Sequence, residues 1–282
     1  AAFISGVLIL AVVTPMALMI RRSPEGSGLR PDGDPIPENE VNIGPAVTAE
    51  NVEPNREIHG GVILQAGEPD FTAPEAMKTP TYWMVVLAVA MRNVVHSGTS
   101  FLFVPLLVWF LMGSGRSEED AQPIAVAFIL VMSLSLLLMT PIVGWLGDRW
   151  SKQRLSSACM IGGALSLLVL LEGTGHIWQA AIFVVLAAFS ETANPLAWAI
   201  MGDFFGRRSY ATLRGWQHLP DQLLSMSTPV WMGLIFDHTG SFKWALLPLV
   251  IFYGLAAIFY LLIPSPKTPA RVRDYLQQGQ IE

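Results

Sequence analysis

Residues 122–142 read QPIAVAFILVMSLSLLLMTPI, an apolar stretch without a single charged side chain. At about 1.5 Å of rise per residue, a helix of this length measures about 30 Å, which is the thickness of the hydrocarbon core of a bilayer. Helices on the surface of soluble proteins carry a polar face along most of their length. The stretch therefore predicts a membrane-spanning helix.

Similar stretches recur along the 282-residue chain, in which 52% of the residues are hydrophobic and only 14% are charged. Globular domains carry about a quarter charged residues, so a soluble fold is excluded. About seven spans are predicted, at 1–20, 81–112, 122–142, 155–172, 178–200, 215–236 and 242–263. The sequence therefore predicts an all-α, polytopic transmembrane helix bundle.

Residues 21–80 differ in composition from the rest of the chain. They include 11 acidic and five basic residues together with nine prolines and seven glycines. This composition predicts a mostly irregular, acidic linker. Near its end, Thr72 and Glu75 have the spacing of a capping box, which predicts a short helix at the membrane surface before Pro80.

The basic residues predict the orientation, because cytoplasmic loops of membrane proteins are enriched in Lys and Arg. Placing the linker 21–80 in the cytoplasm also places 143–154, 201–214 and the tail 264–282 there. These four segments hold 14 of the 17 Lys and Arg residues. We therefore expect the linker and the C-terminus to be cytoplasmic, in a plasma membrane or a bacterial inner membrane.

Several function classes have no support in the sequence. The net charge of −5 comes with no basic face suited to nucleic acid. Cys159 is the only cysteine, so neither an intrachain disulfide nor a thiolate metal site is expected. We find no HExxH, no Gly-x-Ser-x-Gly and no phosphate-binding loop, and the histidines lack metal-ligand spacing. A membrane enzyme, a metal site and a cofactor are therefore not expected.

Residues 144–154 read GWLGDRWSKQR. Gly144 is expected to allow close helix packing, and Asp148 to cap the following helix or pair with an arginine. The basic side chains are expected to hold the segment in the cytoplasm: Arg149, Lys152 and Arg154. The pattern resembles the loop signature of the major facilitator superfamily, although Ser151 stands where that family usually has glycine.

Three further segments extend the resemblance. Residues 202–208 read GDFFGRR and are followed by Arg214 and Gly215, which looks like the inner loop before the penultimate helix in one branch of the superfamily. The segment from Gly233 to Gly240 resembles the outer turn before the last helix. The segment 21–83 looks like the central loop between the two halves. The set is similar to the monocarboxylate and oxalate/formate type members.

The resemblance implies a fold of twelve helices in two six-helix halves, with the substrate cavity between the halves near the midplane. Residues 1–20 would be the sixth helix, the last of the N-terminal half. Residues 81–263 would form the C-terminal half, and 264–282 the cytoplasmic tail. The chain opens inside an apolar run, so we expect a fragment that does not transport alone. The implied function is secondary active transport, by alternating access, of a small solute such as a monocarboxylate.

Three charged residues fall in the interiors of the predicted spans. Such groups are costly in a bilayer and usually face a cavity or a partner. Arg92 and Glu191 lie about 16 Å and roughly 14 Å from the cytoplasmic ends of their helices, at the usual helical rise. Asp221 is expected to be shallower, near the inner mouth. The resemblance places the helices of Arg92 and Glu191 along the central cavity.

Helical spacing extends these positions to a predicted site for substrate binding or coupling. Its members are Arg92, Asn93, His96, Glu191, Asn194, Gln217 and Asp221. Arg92 is the hypothesised anion-binding residue, because a guanidinium grips a carboxylate through paired hydrogen bonds. Glu191 would be its partner in the empty site or a proton carrier; alternatively, the pair only joins two helices. His96 is either a proton relay or a hydrogen-bonding residue between helices.

A second set of residues lies at the predicted inner ends of the helices. The candidates for a gate or loop motif are Gly144, Asp148, Arg149, Arg154, Asp203, Arg207 and Arg208. The alternative is that their charges only fix the topology. The expected partners are a small-molecule substrate, a proton or another coupling ion, the lipid bilayer and the missing N-terminal half.

One alternative function keeps the same helices. A transporter-like membrane sensor or a channel would lack carrier activity, but it would need an output domain or a pore-lining repeat, and neither is visible. Saturable counterflow in proteoliposomes would indicate a carrier, and conductance without saturation a channel.

Overall fold

A computed structural model describes residues 71–171, 174–206, 209–267 and 269, all within the compact unit that spans residues 62–282. The predicted span 1–20, most of the linker and most of the tail lie outside these residues. The described part contains nine helices and no strand: α1 (Ala73–Met77), α2 (Pro80–Phe101), α3 (Phe103–Met112), α4 (Glu118–Arg149), α5 (Lys152–Leu171), α6 (Ile177–Glu191), α7 (Ala193–Phe205), α8 (Tyr210–Thr239) and α9 (Lys243–Leu262).

Four helices are long and apolar enough to cross a membrane: α4, α5, the nearly continuous α6–α7 pair and α9. The bent pair α2–α3 makes a fifth if it is counted as one span. The all-α transmembrane bundle is thus confirmed. Helix α8 is long enough to cross, but its polar residues keep it outside this set. The predicted span 215–236 therefore stays a prediction.

Contacts between residues far apart in sequence define the two ends of the bundle. At one end, Thr81 at the start of α2 donates a hydrogen bond to the carbonyl of Pro264, just after α9 (2.9 Å). At the other end, Arg116 before α4 donates to the carbonyl of Gly175 before α6 (2.9 Å). Successive spans therefore run in alternating directions, as short connections between crossings require.

The helices pack around α2, α5 and α9. Helix α9 packs against α5 and α2, α2 packs against α8, and α6 packs against α5 and α4. Between α5 and α9 the backbones come close at Gly163, where a Cβ atom would lie 2.7 Å from the ring of Tyr253. Helix α4 exposes most of its apolar side chains, as a helix bordered by lipid or by another part of the protein does.

The expectation of one span over 81–112 is wrong in one respect, because the chain bends by 68° between α2 and α3. The bend lies at Leu102, whose φ and ψ of −100° and 19° leave the helical region. Pro105 explains it, since proline donates no backbone hydrogen bond and its ring clashes with the carbonyl four residues earlier, that of Phe101.

The segment 143–154 was expected to be a loop, and most of it is helical. Helix α4 continues to Arg149, and only Trp150 and Ser151 separate it from α5. At its other end α4 is capped by Ser117, whose hydroxyl accepts a hydrogen bond from the backbone N–H of Asp120 (3.2 Å). The helix thus extends beyond the apolar stretch at both ends.

The short helix predicted before Pro80 is confirmed as α1. The capping box forms as its spacing indicates, with the backbone N–H of Thr72 donating to Glu75 Oε2 (2.9 Å). Phe71, just before it, packs edge-to-face on Phe205 at the end of α7 (5.4 Å between ring centroids). Its position at the membrane surface stays a prediction.

Candidate functional site: a polar cleft between helices

Arg92 lies in the middle of α2 and is only 5% exposed. Its Nη2 forms an ion pair with Glu191 Oε2. Its Nη1 donates a hydrogen bond to Asn93 Oδ1 (2.6 Å), while its Nε has no hydrogen-bond partner among the described residues. A buried cation needs a counter-charge. Glu191 supplies it from α6, almost a hundred residues further along the chain.

Glu191 is the last residue of α6, at a break in the helix. Thr192 separates α6 from α7, and Pro195 follows, so the carbonyl of Glu191 cannot receive the usual hydrogen bond from four residues on. The helix is therefore interrupted just before Pro195. The interruption lies at mid-length of the 29-residue span and holds a carboxylate there.

The carboxylate of Glu191 is shared between Arg92 and His96. While Oε2 contacts Arg92, Oε1 lies 2.9 Å from His96 Nδ1. Because an ionised carboxylate only accepts hydrogen bonds, this contact places the proton of the imidazole on Nδ1. The Ser100 hydroxyl lies 3.2 Å from the same nitrogen. Arg92, His96 and Ser100 thus line one stripe of α2, as their spacing predicts.

Asp221 is buried on α8 and contacts Asn93, since Asn93 Nδ2 lies 2.8 Å from both of its carboxylate oxygens. This position corrects the expectation of a shallow site near the inner mouth. Helix α8 begins at Tyr210, five residues earlier than the predicted span, which puts Asp221 about 16 Å along the helix. His218 Nδ1 lies 3.5 Å from Asp221 Oδ2, with its imidazole largely exposed.

Gln217 is buried next to Arg214, which sequence reasoning had assigned to an inner loop. Arg214 lies inside α8, donates from Nη1 to Gln217 Oε1 (3.0 Å) and stacks over the Trp198 ring at 4.9 Å. The spacing of three residues between Arg214 and Gln217 was the available signal. Gln217 Nε2 has no hydrogen-bond partner in the described part of the chain.

These residues surround an open cleft of about 640 Å³ between α2, α7 and α8. Four of the predicted site residues line it: Arg92, Asn93, His96 and Asn194. Three predicted site residues do not line it: Glu191, Gln217 and Asp221. Glu191 contacts Arg92 and His96, and Asp221 contacts Asn93, so both lie directly behind the lining. Serine hydroxyls add further donors and acceptors from α2 and α8: Ser97, Ser100 and Ser225. The cleft can therefore hold a small polar solute against one cationic group.

Among the described residues, no two of the predicted gate residues form an ion pair with each other. Asp203 pairs with Lys152 (2.6 Å), which links the segment after α4 to the end of α7. Arg149 stacks over Trp145 (4.0 Å), and Asp148 forms no ion pair with any described residue. Arg207 and Arg208 lie outside the described residues, and Arg154 is exposed.

The packing role expected for Gly144 is wrong. Gly144 is exposed, and a Cβ atom placed on it would meet nothing within 4 Å. The close approach occurs one turn later, at Gly147, where a Cβ atom would lie 2.6 Å from Leu196 Cδ2 on α7. The face of α4 that carries Gly147 is the one directed at its neighbours.

Comparison with known proteins decides the family. Residues 89–277, about two thirds of the chain, match the family model of the Major Facilitator Superfamily. The chain belongs to this superfamily. It is therefore an integral membrane protein of a transporter superfamily. The match begins three residues before Arg92 and includes every predicted site residue.

A protein from Pseudomonas putida that is similar to part of this chain is named probable galactarate/D-glucarate transporter GudP. The two are 33% identical over 86 residues, which cover 30% of this chain and 19% of that protein. The similar part thus spans about a fifth of the relative's length. Neither comparison addresses the monocarboxylate or oxalate/formate subtype, which stays a prediction.

Proposed function

We propose that this chain is the C-terminal part of a secondary active carrier that moves a small organic anion across the membrane by alternating access. The observation that carries the proposal is the buried Arg92 guanidinium on the wall of a polar cleft, in the middle of α2. An ionised group there is expensive unless it is paired. A carboxylate substrate is a suitable second partner, since guanidinium binds carboxylates through two parallel hydrogen bonds.

Glu191 acts in this proposal as the counter-ion of the empty site. A substrate carboxylate that reaches Arg92 competes with Glu191 Oε2, and Glu191 then keeps only its contact with His96 through Oε1 (2.9 Å). A carboxylate that loses its cation in a low-dielectric site becomes a good proton acceptor. We therefore propose that the proton is the coupling ion and that Glu191 and His96 carry it.

The nature of the cleft suits a hydroxylated anion. Beside Arg92, it presents the hydroxyls of Ser97 and Ser100 and the amides of Asn194 and Gln222. These groups can both donate to and accept from substrate hydroxyls. The relative from Pseudomonas putida carries the names of two sugar acids, galactarate and D-glucarate. We therefore extend the proposed substrate class from monocarboxylates to sugar acids.

The domain layout belongs to the same proposal. Residues 1–20 would close the N-terminal half, 21–80 would link the halves in the cytoplasm, and 81–263 would form the C-terminal half. The open cleft would then be completed by the N-terminal half. This arrangement also explains why α4 and α8 leave large apolar side chains exposed, among them Leu130, Leu137, Leu223 and Met226.

The test is transport by the complete gene product in proteoliposomes, with radiolabelled galactarate and lactate as the probes. Saturable uptake with counterflow is expected for the unchanged protein. Because a hydrogen bond to a charged group contributes about 1.5–3 kcal/mol, Arg92→Ala and Arg92→Lys should each lower the apparent affinity roughly tenfold or more. Lys243→Ala removes an exposed cation at the far end of the bundle and should leave transport unchanged.

A double variant separates binding from a purely structural ion pair. Removing one member of a buried pair is strongly destabilising, whereas replacing both by apolar residues of similar volume is often nearly neutral. Arg92→Met combined with Glu191→Met should therefore recover the thermal stability lost by Arg92→Ala, yet still fail to transport. Recovery of transport together with stability would mean that the pair only joins two helices. Conductance without saturation would instead identify a channel.

A further inference from the structure

A second cavity lies where α4 ends and α5 begins, and it shares no lining residue with the polar cleft. It is a groove of about 510 Å³, lined by Trp150, Ser151, Arg154, Leu155 and Ala158. Trp150 and Arg154 are both exposed, and neither side chain forms a hydrogen bond or ion pair with a described residue. The guanidinium and the indole thus both line the groove without a partner among the described residues.

The groove lies at the end of the bundle where the distribution of Lys and Arg predicts the cytoplasmic membrane–water interface. Gln153, next to Arg154, donates from Nε2 to the carbonyl of Ile263 after α9 (3.1 Å), at the end of the bundle where α2 starts. Helix α4 has just left its apolar stretch at this point. Tryptophan is enriched at such membrane–water interfaces, and arginine side chains there reach the phosphate layer.

An exposed apolar stripe runs from the groove along α5. Below Arg154 and Ala158, the same face of the helix presents Ile161, Leu165 and Leu168, each between 44% and 49% exposed. Their spacing of three and four residues keeps them in one line, about 15 Å long at the usual rise from Ala158 to Leu168. A cationic groove that continues into an apolar stripe is complementary to a phospholipid. The phosphate would lie at Arg154, and an acyl chain would lie along the stripe.

We propose that this groove is a binding site for an anionic phospholipid, separate from the transport cleft. Charge complementarity selects the anionic headgroup. Lys152 is already paired with Asp203, and Asp148 does not line the groove, so Arg154 offers a cation that is not neutralised within the groove. Basic pockets between membrane helices recognise phospholipid headgroups in this manner. The proposal does not depend on which solute the transporter carries.

The experiment titrates the complete protein, in detergent micelles, with dioleoylphosphatidylglycerol and follows retained lipid by native mass spectrometry. One basic residue near a membrane surface contributes about 1 kcal/mol to the attraction of anionic lipid, so Arg154→Ala should weaken retention about fivefold. Arg154→Lys keeps the charge and should lose less. Lys243→Ala removes an exposed cation at the other end of the bundle and should retain the lipid as the unchanged protein does.

A second measurement locates the lipid. Phosphatidylglycerol with brominated chains should quench part of the tryptophan fluorescence, and Trp150→Phe should remove that part. Equal retention of phosphatidylcholine, or an equal loss in Arg154→Ala and Lys243→Ala, would overturn the proposal by showing unspecific lipid association. Complete displacement of the lipid by millimolar glycerol phosphate would overturn it in favour of a site for soluble phosphate anions.

Discussion

Asn93 connects the buried carboxylate of Asp221 to the guanidinium of Arg92. Its Oδ1 accepts from Arg92, and its Nδ2 donates to both oxygens of Asp221. No other residue type of this size supplies an acceptor and a donor on one planar group. The amide orientation is therefore fixed by its neighbours, and Asn93 is the residue of the cleft with the most contacts to charged groups.

Asn93→Asp should disrupt this arrangement. A carboxylate at position 93 cannot donate to Asp221, so two buried acids would face each other without a hydrogen between them. Leaving a buried charged group without its donors costs about 1–3 kcal/mol or more, so we expect a clear fall in the midpoint of thermal unfolding in detergent. The cost should be larger than that of Asn93→Ala, which removes the donor but adds no charge.

Exchanging the two residues gives the control. In Asn93→Asp combined with Asp221→Asn, the donor and acceptors swap places, and the new asparagine can donate to the new aspartate. The thermal midpoint should return most of the way to that of the unchanged protein. If the exchange is as unstable as Asn93→Asp alone, the hydrogen bond between α2 and α8 does not hold the two helices together as described.

At the scale of helices, the close packing of α5 against α6 and α9 depends on Gly163. A Cβ atom there would lie 2.7 Å from the Tyr253 ring and 2.9 Å from Ser190 Cβ. Tyr253 cannot easily move away, because its hydroxyl lies 3.1 Å from the Ser190 hydroxyl and its ring is buried. Gly163→Ala should therefore destabilise the protein by about 1–3 kcal/mol, the usual cost of overpacking a core.

Gly254→Ala is the matched substitution on α9, one residue from Tyr253. A Cβ atom at Gly254 would meet nothing within 4 Å, so the same added methyl group should be neutral. The two variants can be compared by the temperature at which each aggregates in detergent. Equal midpoints for both would contradict the close approach of α5 and α9 at Gly163.

The ends and bends of helices show where sequence reasoning was limited. Hydropathy located the spans, because burial in lipid requires apolar side chains over a fixed length. It missed the bend at Leu102, because a hydropathy value does not reflect the missing backbone donor of a proline. Pro105 was the residue that indicated the bend. It also placed the end of this span at residue 142, where the apolar stretch ends. The helix itself continues to Arg149, because charged residues such as Asp148 end the apolar stretch without ending the helix.

For the molecule as a whole, the sequence predicted which helices carry the charges better than it predicted how the charges meet. Arg92 and Glu191 were recognisable because ionised residues are rare in apolar spans. Their pairing with each other was one of the alternatives that the sequence offered, because each ionised side chain needs a partner in an apolar environment. The contact of Asn93 with Asp221 was not predictable, because it depends on where α8 begins, and no sharp sequence signal precedes Tyr210.

The orientation of the bundle is open to a direct test, because the only cysteine of residues 1–282 is buried. Cys159 is fully shielded, so this chain should not react with a membrane-impermeant maleimide before a cysteine is introduced. Glu119 and Ser265 are exposed at opposite ends of the bundle. The distribution of Lys and Arg predicts that the end with Ser265 faces the cytoplasm. In intact cells, Glu119→Cys should therefore be labelled from outside, whereas Ser265→Cys should be labelled only after the membrane is permeabilised. The reverse pattern would invert the proposed topology, and labelling of both positions from outside would contradict a bundle whose ends face opposite sides.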